Sequence, residues 1–517
     1  MSAPSLPPSG ATRYGVLLGA IIVQLILGTV YGYSIFWEPL TAEVFPTVVT
    51  EAQQAQLNDV SQNPASYVVV ADDTAAAQLR VEQQGYLKYA FSICILSFAV
   101  VMVIAGRIQD VMGPRFPAII GAIMMGVGFI VAGFMNNPII FYLAHATFIG
   151  VMAIIVLMLF HALFAKADRQ QMPILQYIPM GIVTTSVVAG VILGNQYVGH
   201  LRELDKLFVL WGTVGFLAGA GIGFAYVCPI AALVKWFPDK KGLVSGIAVA
   251  GFGFGAFLFK GETLGARGFI AGHGIEQFFL VHGLVCLFGI TLGAMMLKNP
   301  PGVAAPAARV GGDSAWQDTL RRPAFYVLWL MFFSGAMAGL MVIGIVAPFV
   351  KNQAIAGGID AVAAGAIGAM AMGVLAICNA VGRVAWGFLS DCIGRTATFA
   401  AMFLTQAVVL FVLASLHGEY ALYIGTALIG FNFGGNFALF PSATADLFGA
   451  KNLGANYGWV FTSYGIAGVA GIAAGNAAKT MTGDYTAAFH IAAVLCLIST
   501  ALAIGLAVQQ KRAAALA

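Results

Sequence analysis

Long apolar stretches, separated by short polar ones, run through nearly the whole chain. Fourteen can be marked, at residues 14–37, 87–106, 116–135, 138–164, 173–195, 207–236, 242–260, 277–297, 323–349, 361–388, 396–416, 419–441, 453–477 and 485–508. A helix of about 20 apolar residues crosses the ~30 Å hydrocarbon core of a bilayer. Each run is therefore predicted to be a transmembrane helix. Strict in–out alternation, the mark of a membrane β-barrel strand, is absent. Gly and Pro inside the runs suit closely packed membrane helices. The expected fold is an all-α integral membrane protein with about 14 transmembrane helices.

Two patterns at the edges of these runs occur twice. Gly106-x3-Asp110-x2-Gly113-Pro114-Arg115 returns as Gly387-x3-Asp391-x2-Gly394-Arg395. Pro229, Gly242, Gly246 and Gly253 return with identical spacing as Pro441, Gly454, Gly458 and Gly465. Duplicated apolar halves mark secondary transporters, in which one half moves against the other around a central site. The first pattern repeats at a longer offset than the second, so extra chain lies between residues 115 and 229. The runs at about 138–195 fit that excess as an inserted helix pair. Pro39 and Pro348 are taken to close the first helix of each half. The greater distance from Pro39 to its glycine–aspartate turn places an enlarged external loop at 41–85, which carries Glu43, Glu51, Asp59, Asp72, Asp73 and Glu82. The domain plan is an N-terminal half at 1–297, a Pro-, Gly- and Ala-rich cytoplasmic linker at 298–322, and a C-terminal half at 323–517. The halves are expected to be pseudo-symmetric, with six core helices each.

Composition narrows the class. Apolar residues make up 60% of the chain and charged residues 9%, and the mean hydropathy is +0.90, which a soluble surface could not accommodate. The net charge of +4 is spread over loops and gives no footprint for nucleic acid. No metal-ligand spacing or cofactor motif is present; Gly251-Phe-Gly-Phe-Gly255 follows no strand and is read as small-residue helix packing. No soluble domain is available to house an enzyme. With both termini inside, cytoplasmic segments hold about 16 basic residues and external ones about 8, as the positive-inside rule requires. The first run has no convincing cleavage site and is expected to be retained. The chain is expected to be a monomer in the cytoplasmic (inner) membrane.

Arg383 stands out as the basic residue that loops and helix ends do not account for. A cation at bilayer depth costs roughly 2.5–3.5 kcal/mol on insertion scales and needs a partner or a wet cavity. The alternative is snorkelling to the nearby interface. No acid lies within a turn or two, so an anionic substrate is the natural partner, with Asn379 one turn earlier on the same face. Aromatic residues recur at helical spacing, in the pairs Tyr33 and Trp37 and Phe433 and Phe437, and in the triplet Tyr457, Phe461 and Tyr464; Tyr226 precedes Pro229. Tyrosines offer an apolar wall with one hydrogen-bonding group, although each is more often packing than ligand contact. Gly106, Asp110, Gly113 and Arg115, with Gly387, Asp391, Gly394 and Arg395, are read as gating turns whose carboxylates cap helices or pair with Arg.

These motifs resemble a known family. Gly106 to Arg115 is similar to the cytoplasmic loop motif of the major facilitator superfamily. Gly223-Phe-Ala-Tyr-Val-Cys-Pro-Ile, Val234-Lys-Trp-Phe-Pro-Asp-Lys-Lys-Gly-Leu, Asn436-Phe-Ala-Leu-Phe-Pro-Ser-Ala-Thr-Ala-Asp-Leu-Phe-Gly, Tyr31-Gly-Tyr-Ser-Ile-Phe and Lys298-Asn-Pro-Pro-Gly resemble the oxalate/formate antiporter family. The resemblance covers the duplicated core but not the inserted pair. It implies that Arg383 matches an Arg which, in that family's oxalate carriers, clamps the dicarboxylate together with a Lys. Tyr464 stands at the Lys position, Phe433 and Phe437 match an aromatic pair, and Tyr226 matches a tyrosine of the first half. One cation balances one negative charge, so a small monocarboxylate such as formate, lactate or pyruvate is expected, carried with a proton. Asp360 is a weak candidate for proton coupling. Exchange against a counter-anion, a carboxylate sensor and a drug exporter are the alternatives.

Overall fold

The structure, a computed structural model, describes residues 10–54, 67–143, 146, 178–196, 202–259, 265–301, 313–482 and 484–516. Its long helices are α1 (Gly10–Leu27), α2 (Asp73–Met112), α3 (Arg115–Ala132), α4 (Ile178–Gln196), α5 (Ala218–Trp236), α6 (Lys241–Phe259) and α7 (Ile275–Met296). After residue 313 come α8 (Pro323–Ala356), α9 (Ala361–Ile393), α10 (Arg395–Leu413), α11 (Glu419–Phe448), α12 (Leu453–Thr482) and α13 (Thr486–Leu516). Among the described residues, 11 helical segments are long and apolar enough to cross a membrane. Of the other three apolar runs, 242–260 is α6, whose apolar part Lys241–Gly255 is shorter. The run 173–195 is helical from Ile178, and 138–164 lies largely outside the described residues. Where the ends of the inserted pair are described, they touch: Gly190 and Gly194 of α4 lie against the backbone of Tyr142 and Ile139.

The duplicated patterns meet crosswise. Gly106 of α2 sits on the carbonyl of Gly454 in α12, and Gly387 of α9 sits on the carbonyl of Gly242 in α6. A Cβ on either glycine would collide with that backbone. Further along the same faces, Gly458 reaches Met102 and Gly246 reaches Arg383. Small residues let membrane helices approach closely enough for dispersion and polar contacts to hold them. Gly113 and Gly394 end α2 and α9 at φ values of 85° and 90°, a left-handed conformation that favours glycine.

Three expectations are corrected. Residues 41–85 are not one loop. Residues 41–44 close a short helix, Trp37–Val44, and β1 (Thr47–Thr50) pairs in parallel with β2 (Tyr67–Val70), as their β-branched and aromatic composition favours. Residues 73–85 are the first turns of α2, where Asp72 accepts from Ala75 N–H at 2.8 Å, so a capped run of Ala, Gln, Leu, Arg and Glu extends the helix. Pro348 does not end its helix but lies inside α8, which continues to Ala356. The first apolar run is also not uniformly α-helical, because Gly28–Phe36 forms a 3₁₀ helix.

Candidate functional site

Arg383 is fully buried, at 0% exposure, about 15 Å of helical rise from the end of α9. Snorkelling is thereby excluded. Its Nε donates to Asn379 Oδ1 at 3.0 Å, one turn earlier, and its Nη1 donates to the Val249 carbonyl of α6 at 2.8 Å. The guanidinium carbon lies 4.3 Å from the ring centroid of Phe437 and 5.7 Å from that of Phe252, an arrangement that stabilises a cation on aromatic faces. Nη2 has no protein partner. A guanidinium carries five N–H donors, so Nη2 is left without a close acceptor, with the Tyr31 hydroxyl near enough to act on the charge.

Phenols and phenyl rings close around it. Tyr31, from the 3₁₀ segment, and Tyr464, from α12, share a hydrogen bond of 2.7 Å. Tyr226 packs on Phe98 at 5.0 Å, Phe252 at 5.2 Å and Phe461 at 5.4 Å. Phe437 lies 5.5 Å from Tyr464 and 5.2 Å from Phe433, and Tyr457 lies 5.6 Å from Phe461. Arg383 lies within electrostatic reach of Tyr31, Tyr226, Tyr457 and Tyr464. Gln24 of α1 donates to the Tyr226 carbonyl at 2.9 Å, steadying that turn where Pro229 removes a backbone donor. The hydroxyls of Tyr226 and Tyr457 interact with each other and meet no other protein partner.

The glycine–aspartate turns lie at one end of the bundle. Asp110 accepts from Gly454 N–H at 3.0 Å and from Ala455 N–H at 2.7 Å. Asp391 accepts from Gly242 N–H at 3.0 Å and from Leu243 N–H at 2.8 Å. Each carboxylate thus caps the first turn of a helix across the bundle, where free N–H groups and the helix dipole favour negative charge. Around Asp391 an ion network forms: Arg395 pairs with Asp391 at 2.8 Å and with Asp446 at 2.9 Å, and Lys241 pairs with Asp446 at 2.7 Å. Arg395 also bonds Ser390 Oγ. Arg115 instead donates to the Met295 carbonyl at 2.7 Å.

The structure thus gathers Arg383, Asn379, Tyr464, Tyr226, Phe433 and Phe437 into one cluster, but not Tyr33. The Tyr33 ring packs on Phe36 and Phe91 at 5.5 and 6.0 Å. A 3₁₀ helix turns three residues per revolution, so Tyr33 and Trp37 do not share a face, and Tyr31 is the tyrosine of this segment that joins the cluster, through Tyr464. Asp360 is exposed and caps α9, accepting from Val362 and Ala363 N–H, about 35 Å of helical rise from Arg383. Sequence reasoning missed Tyr31, Phe252, the Val249 carbonyl, and the pairing of Lys241 with Asp446. Only Tyr31 carried a signal, in its position two residues before Tyr33. Among the described residues no group of three or more His, Cys, Asp or Glu could hold a metal ion.

Residues 361–515 match the Major Facilitator Superfamily family model. The chain is 31% identical over 319 residues to the oxalate:formate antiporter of Oxalobacter formigenes, covering 61% of this chain and 72% of that protein. It is 30% identical over 340 residues to apicoplast pyruvate carrier 1 of Toxoplasma gondii, covering 54% and 61% respectively. Its fold is similar to the crystal structure of the transporter FucP in the outward conformation, with a TM-score of 0.58 at 13% identity, covering 95% of this chain and 98% of that one.

Proposed function

The chain belongs to the major facilitator superfamily, and from that premise we propose that it carries a small monocarboxylate with a proton by alternating access. It is a multi-pass membrane transporter, and a small-molecule substrate follows from its relatives. The observation that carries the finer reading is the single buried guanidinium. Arg383 presents an unpartnered Nη2 inside a cage of aromatic rings, and no second basic side chain joins that cluster among the described residues. One carboxylate satisfies it. A dianion would leave a charge uncompensated in a low-dielectric site, at a cost of several kcal/mol. A co-transported proton makes the moving unit neutral overall. The pyruvate carrier among its relatives fits this class. The oxalate:formate antiporter supports carboxylate chemistry but favours exchange against a counter-anion.

In this reading the chain forms two halves, 1–297 and 323–517, joined by the linker at 298–322, and works as a monomer in the cytoplasmic membrane with both termini inside. The Asp110 and Asp391 caps hold the cytoplasmic end closed, and breaking them lets the halves rock apart. Uptake of labelled formate, acetate, lactate, pyruvate and oxalate into proteoliposomes, with and without an inward proton gradient, tests the proposal. Monocarboxylate uptake that rises with the gradient and vanishes in folded Arg383→Gln is the expected result. Gradient-independent oxalate exchange, or normal uptake by that variant, overturns it.

A further inference from the structure

The 3₁₀ segment Gly28–Phe36 carries Tyr31 to the central cluster, and its second residue meets a histidine that the transport reading does not use. His282 of α7 is 3% exposed, its ring packed on Phe129 at 4.6 Å and Phe278 at 5.6 Å. Its Nε2 lies 3.3 Å from Thr29 Oγ1 and 3.4 Å from Cys286 Sγ. A threonine hydroxyl has one proton, and Thr29 gives it to the Ile26 carbonyl at 2.7 Å. Towards His282 that hydroxyl is therefore an acceptor, and the imidazole donates from Nε2. Gly28 closes the other side, where a Cβ would meet the Phe252 carbonyl of α6.

The local helix geometry lets this contact aim Tyr31. Residues two apart in a 3₁₀ helix point about 120° away from each other. A pin on Thr29 therefore sets the direction in which Tyr31 leaves the helix. Packing alone would not set it, since apolar contacts are non-directional, whereas a hydrogen bond weakens steeply as its angle closes. Rotating the segment would strand the buried imidazole N–H, which is penalised. The far end of the segment rests on the same helix, through Phe36 against Phe278 at 5.4 Å and Phe279 at 5.3 Å. Held so, Tyr31 packs edge-on against Phe252 at 5.1 Å, meets the Tyr464 hydroxyl at 2.7 Å and lies near enough to act on the Arg383 charge. We infer that His282 is a positioning residue for transport: through Thr29 it fixes the rotation of the 3₁₀ segment and so places the Tyr31 hydroxyl beside Arg383. This rests on the assignment of Arg383 to the substrate carboxylate, and adds to it a control that lies outside the cluster.

The test follows uptake kinetics of the intact protein in proteoliposomes. The probe is whichever of labelled formate, acetate, lactate and pyruvate the wild type carries fastest. Thr29→Val removes the acceptor at nearly the same volume, and His282→Leu removes the donor. Each should raise KM about fivefold while changing the maximal rate by less than about twofold. His282→Gln, whose amide nitrogen can stand where Nε2 does, should keep KM near the wild-type value. In a Tyr31→Phe background Thr29→Val should raise KM no further, because the hydroxyl it aims is gone. Thermal melting of the purified variants confirms that they fold, and Thr29→Val carries the test if His282→Leu does not. An unchanged KM in Thr29→Val, a loss of maximal rate alone, a full further rise in the Tyr31→Phe background, or a His282→Gln as impaired as Thr29→Val overturns the inference. Failure of the underlying site assignment reads differently: Arg383→Gln would then transport normally, or wild type would carry none of the four acids.

Discussion

The two copies of the glycine–aspartate turn make nearly the same backbone contact and very different charge contacts. Asp110 caps α12 and Asp391 caps α6 through pairs of N–H groups at matching distances. Around Asp391, Arg395, Asp446 and Lys241 form a continuous ion network. No ion pair reaches Asp110 among the described residues. At the spacing of the repeats, Lys241 corresponds to Leu453 and Asp446 to Val234, both apolar and fully buried. The contrast extends into the bundle, where Arg383 and Asn379 correspond to Met102 and Phe98. The repeat thus supplies a docking surface twice, whereas direct ion pairs form around one copy, Lys235 and Arg107 acting on Asp110 only from farther off.

Making the copies alike should have its largest effect at the centre. Arg383→Met, which imitates Met102, is expected to lower carboxylate uptake by more than about 100-fold, as removal of a buried charge partner does; uptake in proteoliposomes measures it. Gly106→Ala and Gly387→Ala should come next and should match each other, since each places a Cβ against a facing carbonyl. Overpacking of this kind costs about 1–3 kcal/mol, so a roughly tenfold loss of transport is expected from either. If one copy tolerates alanine, the two docks are not equivalent. Asp391→Asn should then exceed Asp110→Asn, about tenfold against about threefold, because only the former also unbalances Arg395. Equal losses would mean that the caps alone matter and the ion network does not. The smallest change in rate is expected from Tyr464→Lys, whose counterpart in the first copy is Phe252. It adds a second cation and should raise oxalate uptake relative to lactate uptake; an unchanged ratio would break the charge-balance argument.

Much of this was legible in the sequence. Apolar run length located the 11 helices that are long and apolar enough to span among the described residues, because hydrocarbon thickness fixes how many residues a span needs. Arg383 was legible for the same reason, since a cation far from a loop demands a partner. Other features were set by contacts that a linear pattern does not carry. The 3₁₀ turn over Gly28–Phe36 shifts the phase of one helix and exchanges Tyr33 for Tyr31. The crosswise docking of α2 on α12 and α9 on α6 pairs residues from opposite ends of the chain, so the partnership of Lys241 and Asp446 had no local signal. The strands at Thr47–Thr50 and Tyr67–Val70 were hidden inside a polar stretch whose charges suggested only exposure.

Helix α2 is 40 residues long, about 60 Å of unbroken rod, roughly twice what a membrane requires. One end carries Asp110 and the other begins beyond the span, with the strand pair packed against the helix. A rod of this length amplifies rotation: a tilt of about 10° around its midpoint swings the far end through roughly 5 Å. If the Asp110 cap opens as proposed, a spectroscopic label near Ala75 serves as the pointer of a balance, reading its release at the far end of the rod.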